Sequence, residues 1–283
     1  MQHADQNWFI VILYGLFAIF ILSAIMMAKR GKQLYIRRIA GLTAIDEAVG
    51  RALEMGRPIL MVPGIGGLNI ISVQALQIFA YITKTAARYG NPIRLTCIDA
   101  AVYAVAQEIV QDAYREEDRS EAYDPDSVRF IAAQQFAFAA GVAGLIQRER
   151  VAAAFLLGEF FAESLILAES GNIVGAIQVA GSTQTTQTPF FVAACDYVII
   201  GDEFYAGSAF LSREPVLMGS IVGQDLCKGL ILLSILLGVV FVSIAVAGGN
   251  EELMKFKGLY GPGGWDALFS KPQPPNVPLP GGS

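Results

Sequence analysis

Two long runs of uncharged, apolar residues bracket this chain: Trp8–Ala28 (WFIVILYGLFAIFILSAIMMA) and Gly229–Ala247 (GLILLSILLGVVFVSIAVA). Each is close to the roughly 20 residues that an α-helix needs to cross hydrocarbon. Both read as transmembrane helices. A signal peptide would carry its basic residues ahead of a shorter apolar run, whereas here they follow a run too long for that role. The 54% hydrophobic composition of the 283 residues fits a membrane protein.

Orientation follows from charge. Lys29, Arg30, Lys32, Arg37 and Arg38 crowd the exit of the first run, while Met1–Asn7 hold no Lys or Arg. The expected organisation is therefore an N-terminal tail and first span over 1–28, a cytoplasmic domain over 29–228, a second span over 229–249 and an external Gly/Pro-rich tail over 250–283. The expected location is the bacterial cytoplasmic (inner) membrane, with the bulk of the chain facing the cytoplasm. A net charge of −5 leaves no general basic patch, which argues against a nucleic-acid partner. The three cysteines, Cys97, Cys195 and Cys227, have no C-x-x-C spacing and read as reduced and mostly buried.

Between the spans, short apolar runs alternate with longer helical patterns, which predicts an α/β fold with a mostly parallel sheet flanked by helices. The clearest unit is a strand at Ile59–Val62, a helix over Asn69–Tyr89 stopped by Gly90 and Pro92, and a strand at Ile93–Ile98. A helix from Ala100 to about Arg115 follows, then a charged excursion over Arg115–Ser127. Asp126 or Ser127 is expected to cap a helix over Val128 to about Gln147. A further unit reads as strand Ala152–Leu157, helix Glu159–Glu169 and strand Ala176–Ala180, followed by a helix from Pro189 capped by Thr188 and a strand Tyr197–Gly201. At least five strands result.

Two loops carry the candidate chemistry. PGIGGLN offers Gly64, Gly66 and Gly67, but Asn69 stands where the dinucleotide pattern G-x-G-x-x-G needs its third glycine, and no Gly-Lys-Ser/Thr follows to make a phosphate-binding P-loop. Asp99, at the next strand end, is the residue type that accepts a hydrogen bond from a ribose hydroxyl. The second loop, GSTQTTQTP, offers Ser182, Thr183, Thr185 and Thr186 ahead of a helix N-terminus. Gly64, Gly66, Gly67, Asn69, Asp99, Ser182 and Thr183 are thus the candidate binding residues. Against them stands the ordinary reading of each loop as a tight turn with helix capping.

Catalysis is disfavoured. The one histidine is His3, across the expected membrane from the α/β domain, so that domain holds no His-based triad or zinc site within one chain. Glu159 and Glu163, four apart, read as sharing a helix face, where two carboxylates could perform acid-base work or bind a cation; the same spacing is common on a solvated helix. No catalytic residue, metal or cofactor is assigned.

The blocks VPGIGG, AESLILAESGN, PFFVAACDY and SREP resemble an uncharacterised family of bacterial membrane proteins, over most of Gly50–Val240. That resemblance implies the same tethered domain and brings no catalytic residues. A far weaker similarity is to ClpP-class membrane serine proteases and crotonase-like folds; where the protease pattern has its serine, this chain has IDAAVYA from Ile98. The expected function is a membrane-anchored scaffold that self-assembles or joins a membrane complex, with a homo-oligomer and the membrane as partners. The alternative is a small-ligand or nucleotide-binding domain, enzymatic or not, using Gly64–Gly67 and Ser182–Thr186. A third reading has the external tail dock other subunits through Trp265 and the proline run.

Overall fold

The computed structural model describes residues 8–32, 40–201 and 203–247. The C-terminal residues 248–283, expected to form an external tail, lie outside the described residues, as do His3, Arg37 and Arg38. The chain divides into two compact units, one made of residues up to Phe20 and from Gly223 onward, the other of Ile21–Val222.

The helix α1 (Trp8–Lys29) coincides with the first apolar run. Next come α2 (Ala40–Met55), β1 (Ile59–Gly64), α3 (Ile70–Tyr89), β2 (Ile93–Cys97) and α4 (Ala100–Glu116). Two short 3-10 turns lead to β3 (Val128–Phe130), α5 (Gln135–Glu149), β4 (Ala153–Glu159) and α6 (Glu163–Val174). The chain continues through β5 (Ile177–Ser182), α7 (Thr188–Ala194), β6 (Tyr197–Ile200), α8 (Glu203–Ser212) and α9 (Pro215–Ala247).

The strands form one parallel six-stranded sheet in the order β3-β2-β1-β4-β5-β6. All six residues of β1 are buried, as a strand covered on both faces must be. Alternation then divides the core: Ile59 and Met61 join Phe79, Phe155 and the inward side chains of α2, α3 and α4, while Leu60 and Val62 join Phe138, Leu156, Phe160 and Phe191 on the opposite face. Each such fully buried aliphatic side chain contributes roughly 1.5–3 kcal/mol of transfer free energy.

Several boundaries differ from those expected. Val128–Phe130 is a strand and not the start of a helix, because Leu95, Thr96 and Cys97 of β2 offer it a parallel partner. Asp124, not Asp126 or Ser127, does the local capping, with its side chain accepting from the Asp126 N–H. At α7 the cap residue is Gln187, whose side chain makes no capping bond and whose Oε1 accepts from Ser164 Oγ at 2.9 Å; Thr188 lies inside the helix, where its hydroxyl donates to the Gln184 carbonyl. The second apolar run is the far part of α9, whose helix starts at Pro215, well before Gly229.

Among the described residues, two helices are long and apolar enough to cross a membrane, Ile70–Tyr89 and Pro215–Val240. The first is a core helix, 56% of it buried; in α9 the figure is 11%. A side chain on Gly219 would collide with the backbone of Ala24 and Ile25, so α9 there meets α1 at a spacing that leaves no room for a Cβ.

Candidate functional site

A sheet ordered 3-2-1-4-5-6 sends its chain outward in both directions from the β1/β4 pair, and such sheets bind ligands in the crevice at the carboxyl ends of those strands. The loop after β1 and the end of β4 meet there. The register slips between Val62 and Gly64, and Gly64 takes φ +82°. A Cβ on Gly64 would run into the backbone of Glu159, and one on Gly158 (φ +153°) into the Pro63 carbonyl. The two strands therefore close on each other at a spacing that only glycine permits, pinned by the Ile65 N–H donating to the Glu159 carbonyl at 2.8 Å.

Asn69 ends the loop as the cap of α3. Its Oδ1 accepts from the Ser72 N–H at 2.9 Å, and its own N–H donates to Ser72 Oγ at 2.8 Å, a reciprocal capping box. At φ −132° Asn69 is in extended backbone, so a non-glycine residue fits here without strain. With its oxygen engaged, the Asn69 amide nitrogen turns outward and donates to Glu159 Oε2 at 2.9 Å. The other Glu159 oxygen accepts from Gln184 Nε2 at 3.0 Å. One half-buried carboxylate thus ties together the glycine loop, the end of β4 and the loop after β5.

The expected residues therefore divide. Gly64, Gly66, Gly67 and Asn69 lie together at the crevice, joined by way of Gln184 to the loop of Ser182 and Thr183. Ser182 is buried and its Oγ accepts from the Gln184 N–H at 3.2 Å, which orients the residue that reaches Glu159. Thr183 is half-buried. Asp99 stands at the end of β2, one strand over, where its Oδ1 caps α4 by accepting from the Ala101 and Val102 N–H groups at 2.9 and 3.0 Å.

Glu159 and Glu163 do not share a helix face. The β ladder runs on until Glu159 pairs with Gly64, and α6 begins only at Glu163. Glu163 is wholly buried; Gln135 Nε2 donates to one of its oxygens at 2.6 Å and the Phe161 N–H to the other at 2.9 Å. The partners of both carboxylates are amide groups. Glu159, Gln184 and Gln135 are the site residues that sequence reasoning missed or misplaced, and no local signal marks them, because each partner is distant in the chain.

Burial, reinforced by Asp99, pushes the Cys97 thiol up to about 12, and burial beside Asp196 does the same for Cys195. Neither is a thiolate near neutral pH, so neither is an activated nucleophile. Among the described residues, no group of three His, Cys, Asp or Glu side chains could hold a metal ion.

Large apolar side chains stand in solvent around the same edge: Leu68, Ile70 at 72% exposed, Phe136 at 65%, Phe161, Phe190 and Ile200. Leu165, Ile166 and Ile173 continue this surface along the outside of α6.

The sequence model of the family described as Domain of unknown function (DUF6754) matches residues 1–253, a stretch holding α1, α9 and the whole sheet. The chain belongs to this family. No curated protein and no solved structure matches it, so the slight likeness to ClpP-class proteases gains nothing from these comparisons.

Proposed function

We propose that this DUF6754 chain is a membrane-anchored assembly protein. Its α1 and α9 hold the α/β domain at the inner face of the bacterial cytoplasmic membrane, where copies join through the carboxyl edge of the sheet and the outer surfaces of α6 and α7. The observation that carries this reading is the set of solvent-facing aromatic and aliphatic residues at that edge, Ile70 and Phe136 foremost. A monomer in water seldom keeps so much apolar surface together; association removes it from water at roughly 25 cal/mol per Å². Native mass measurement in mild detergent is expected to give an oligomer that Phe136→Asp reduces to monomers whose circular dichroism stays that of the folded chain, with a melting temperature lowered only by the lost association. A purely monomeric wild type would end this reading. Protease protection in oriented vesicles checks the orientation: residues 40–201 should be cleaved only from the cytoplasmic side.

A second reading, a small-ligand site, is favoured by one observation, the convergence of the two polar loops on Glu159. It predicts thermal stabilisation by a polar ligand, weakened by Gln184→Ala.

A further inference from the structure

A glycine loop between the first strand of such a sheet and a helix N-terminus is where a phosphate would sit. That requires glycines whose missing side chains leave room, and a seat free of negative charge. The first condition is met at Gly67, where nothing stands within 4 Å of the missing side chain, and at Gly66, which leaves a side-chain volume unfilled by itself; the space beside Gly64 is taken by the Glu159 backbone. The second is not. Glu159 Oε2 lies only 2.6 Å from the point where a Cβ on Gly66 would stand. The volume that glycine vacates therefore belongs to a carboxylate of the same chain.

That carboxylate is held in place from both sides. Asn69 Nδ2 donates to Oε2, with the Asn69 side chain itself locked by its cap on Ser72, and Gln184 Nε2 donates to Oε1. Both donors are neutral, so the negative charge stays at the mouth of the loop, next to the positive end of the α3 dipole. We propose that Glu159 is a built-in anion that occupies the phosphate seat of the glycine loop and makes this sheet selective against phosphate-bearing ligands, with Asn69 and Gln184 as its positioning residues. A nucleotide meets a like charge where it needs a donor-lined hollow. The inference stands apart from assembly, which uses the apolar rim, and it narrows the ligand reading to molecules without phosphate.

The test is calorimetric titration of the full chain in mild detergent with inorganic phosphate and with ADP. The wild type is expected to bind neither. Glu159→Ala, which empties the seat, should bind measurably, on the order of tenfold or more tighter than the detection limit set by the wild type at low salt, and Glu159→Gln, which keeps the bulk and removes the charge, should gain less. Wild-type binding that Glu159→Gln leaves unchanged or weakens would overturn the proposal. So would folded Glu159 variants that still bind no phosphate; should Glu159→Ala fail to fold, the glutamine variant decides alone. A second measurement reads the contact itself: Gly66→Ala should lower the melting temperature more in the wild type than in Glu159→Ala, where the Asn69 amide nitrogen at 3.1 Å and the residue-159 Cβ at 3.2 Å are the neighbours that stay. Equal losses in both backgrounds would show that the carboxylate does not fill that volume.

Discussion

On the side of the sheet covered by α2, α3, α4 and α8, several outward positions are joined by polar and charged contacts, beside exposed Leu53, Met55, Val73 and Tyr89. Lys84 pairs with Glu116, Arg88 with Glu117 at 2.9 Å, Tyr81 with Asp46 at 2.9 Å and Tyr197 with Glu47 at 3.1 Å. On the side covered by α5, α6 and α7, the ion pairs described gather at Glu149, which takes Arg94 at 2.8 Å and Arg129 at 3.0 Å near the far end of α5. Elsewhere that layer turns Leu165, Ile166, Ile173 and Val192 to solvent. Both layers bury their inward residues completely, so the contrast lies in what each presents to its surroundings. Ion pairs in water contribute little to stability but keep a surface solvated, whereas apolar outward residues are what a partner covers. The comparison assigns the first side to water and, under the assembly proposal, the second to another copy.

Four experiments press on this contrast. The largest effect should come from the interiors: Phe79→Ala beneath the charged layer and Phe138→Ala beneath the apolar one should each cost about 3–5 kcal/mol in chemical unfolding. A markedly smaller loss for Phe138 would mean that the apolar layer is loosely packed as well as differently finished. Next, Gly158→Ala at the strand seam shared by both layers should cost on the order of 3 kcal/mol, from backbone strain and the clash with Pro63. Third, Ile166→Asp with Ile173→Asp should change stability by less than about 1 kcal/mol yet abolish the oligomer in native mass spectra, while Lys84→Ala on the other side should leave the oligomer intact. Dissociation by the lysine variant instead would reverse the assignment of the two sides.

The smallest effect concerns one cysteine under each layer. With thiols pushed up to about 12, Cys97 and Cys195 should resist iodoacetamide at pH 8 and react faster as the pH is raised. Because it is only half-buried, Cys195 should react first, and assembly should slow it. Labelling of Cys97 as fast as a free thiol, followed by mass spectrometry, would show that the charged layer opens readily.

Much of the sheet was legible because its strands are continuous apolar runs punctuated by Gly and Pro: β1, α3 and β2 fall almost where ILMVPG and YGNP place them. β3 was hidden because Val128–Phe130 is too short to show a period and is a strand only by virtue of β2 beside it. α2, with Ala44, Ile45, Ala48, Val49 and Ala52 inward, went unnoticed because its apolar stripe is built mostly of small residues. The segment LLGEFFAES misled in a specific way. Its spacing suits a helix, but Gly158 is there for a close backbone approach, so the strand runs on through it. Of the site, the glycine loop was visible. The Asn69–Glu159–Gln184 link was not, since side chains 90 and 25 residues apart are joined only by topology.

The central pairing of β1 with β4 joins residues 59–64 to residues 153–159. A ribosome making this protein delivers β1, β2 and β3 well before their missing neighbour exists. During that interval one bare edge of the nascent sheet, the unpaired backbone N–H and C=O groups of β1, is open to mispairing with any strand that drifts past. Slow translation between Val128 and Ala153 would lengthen the hazard, and a chaperone that shields strand edges would matter most in that window.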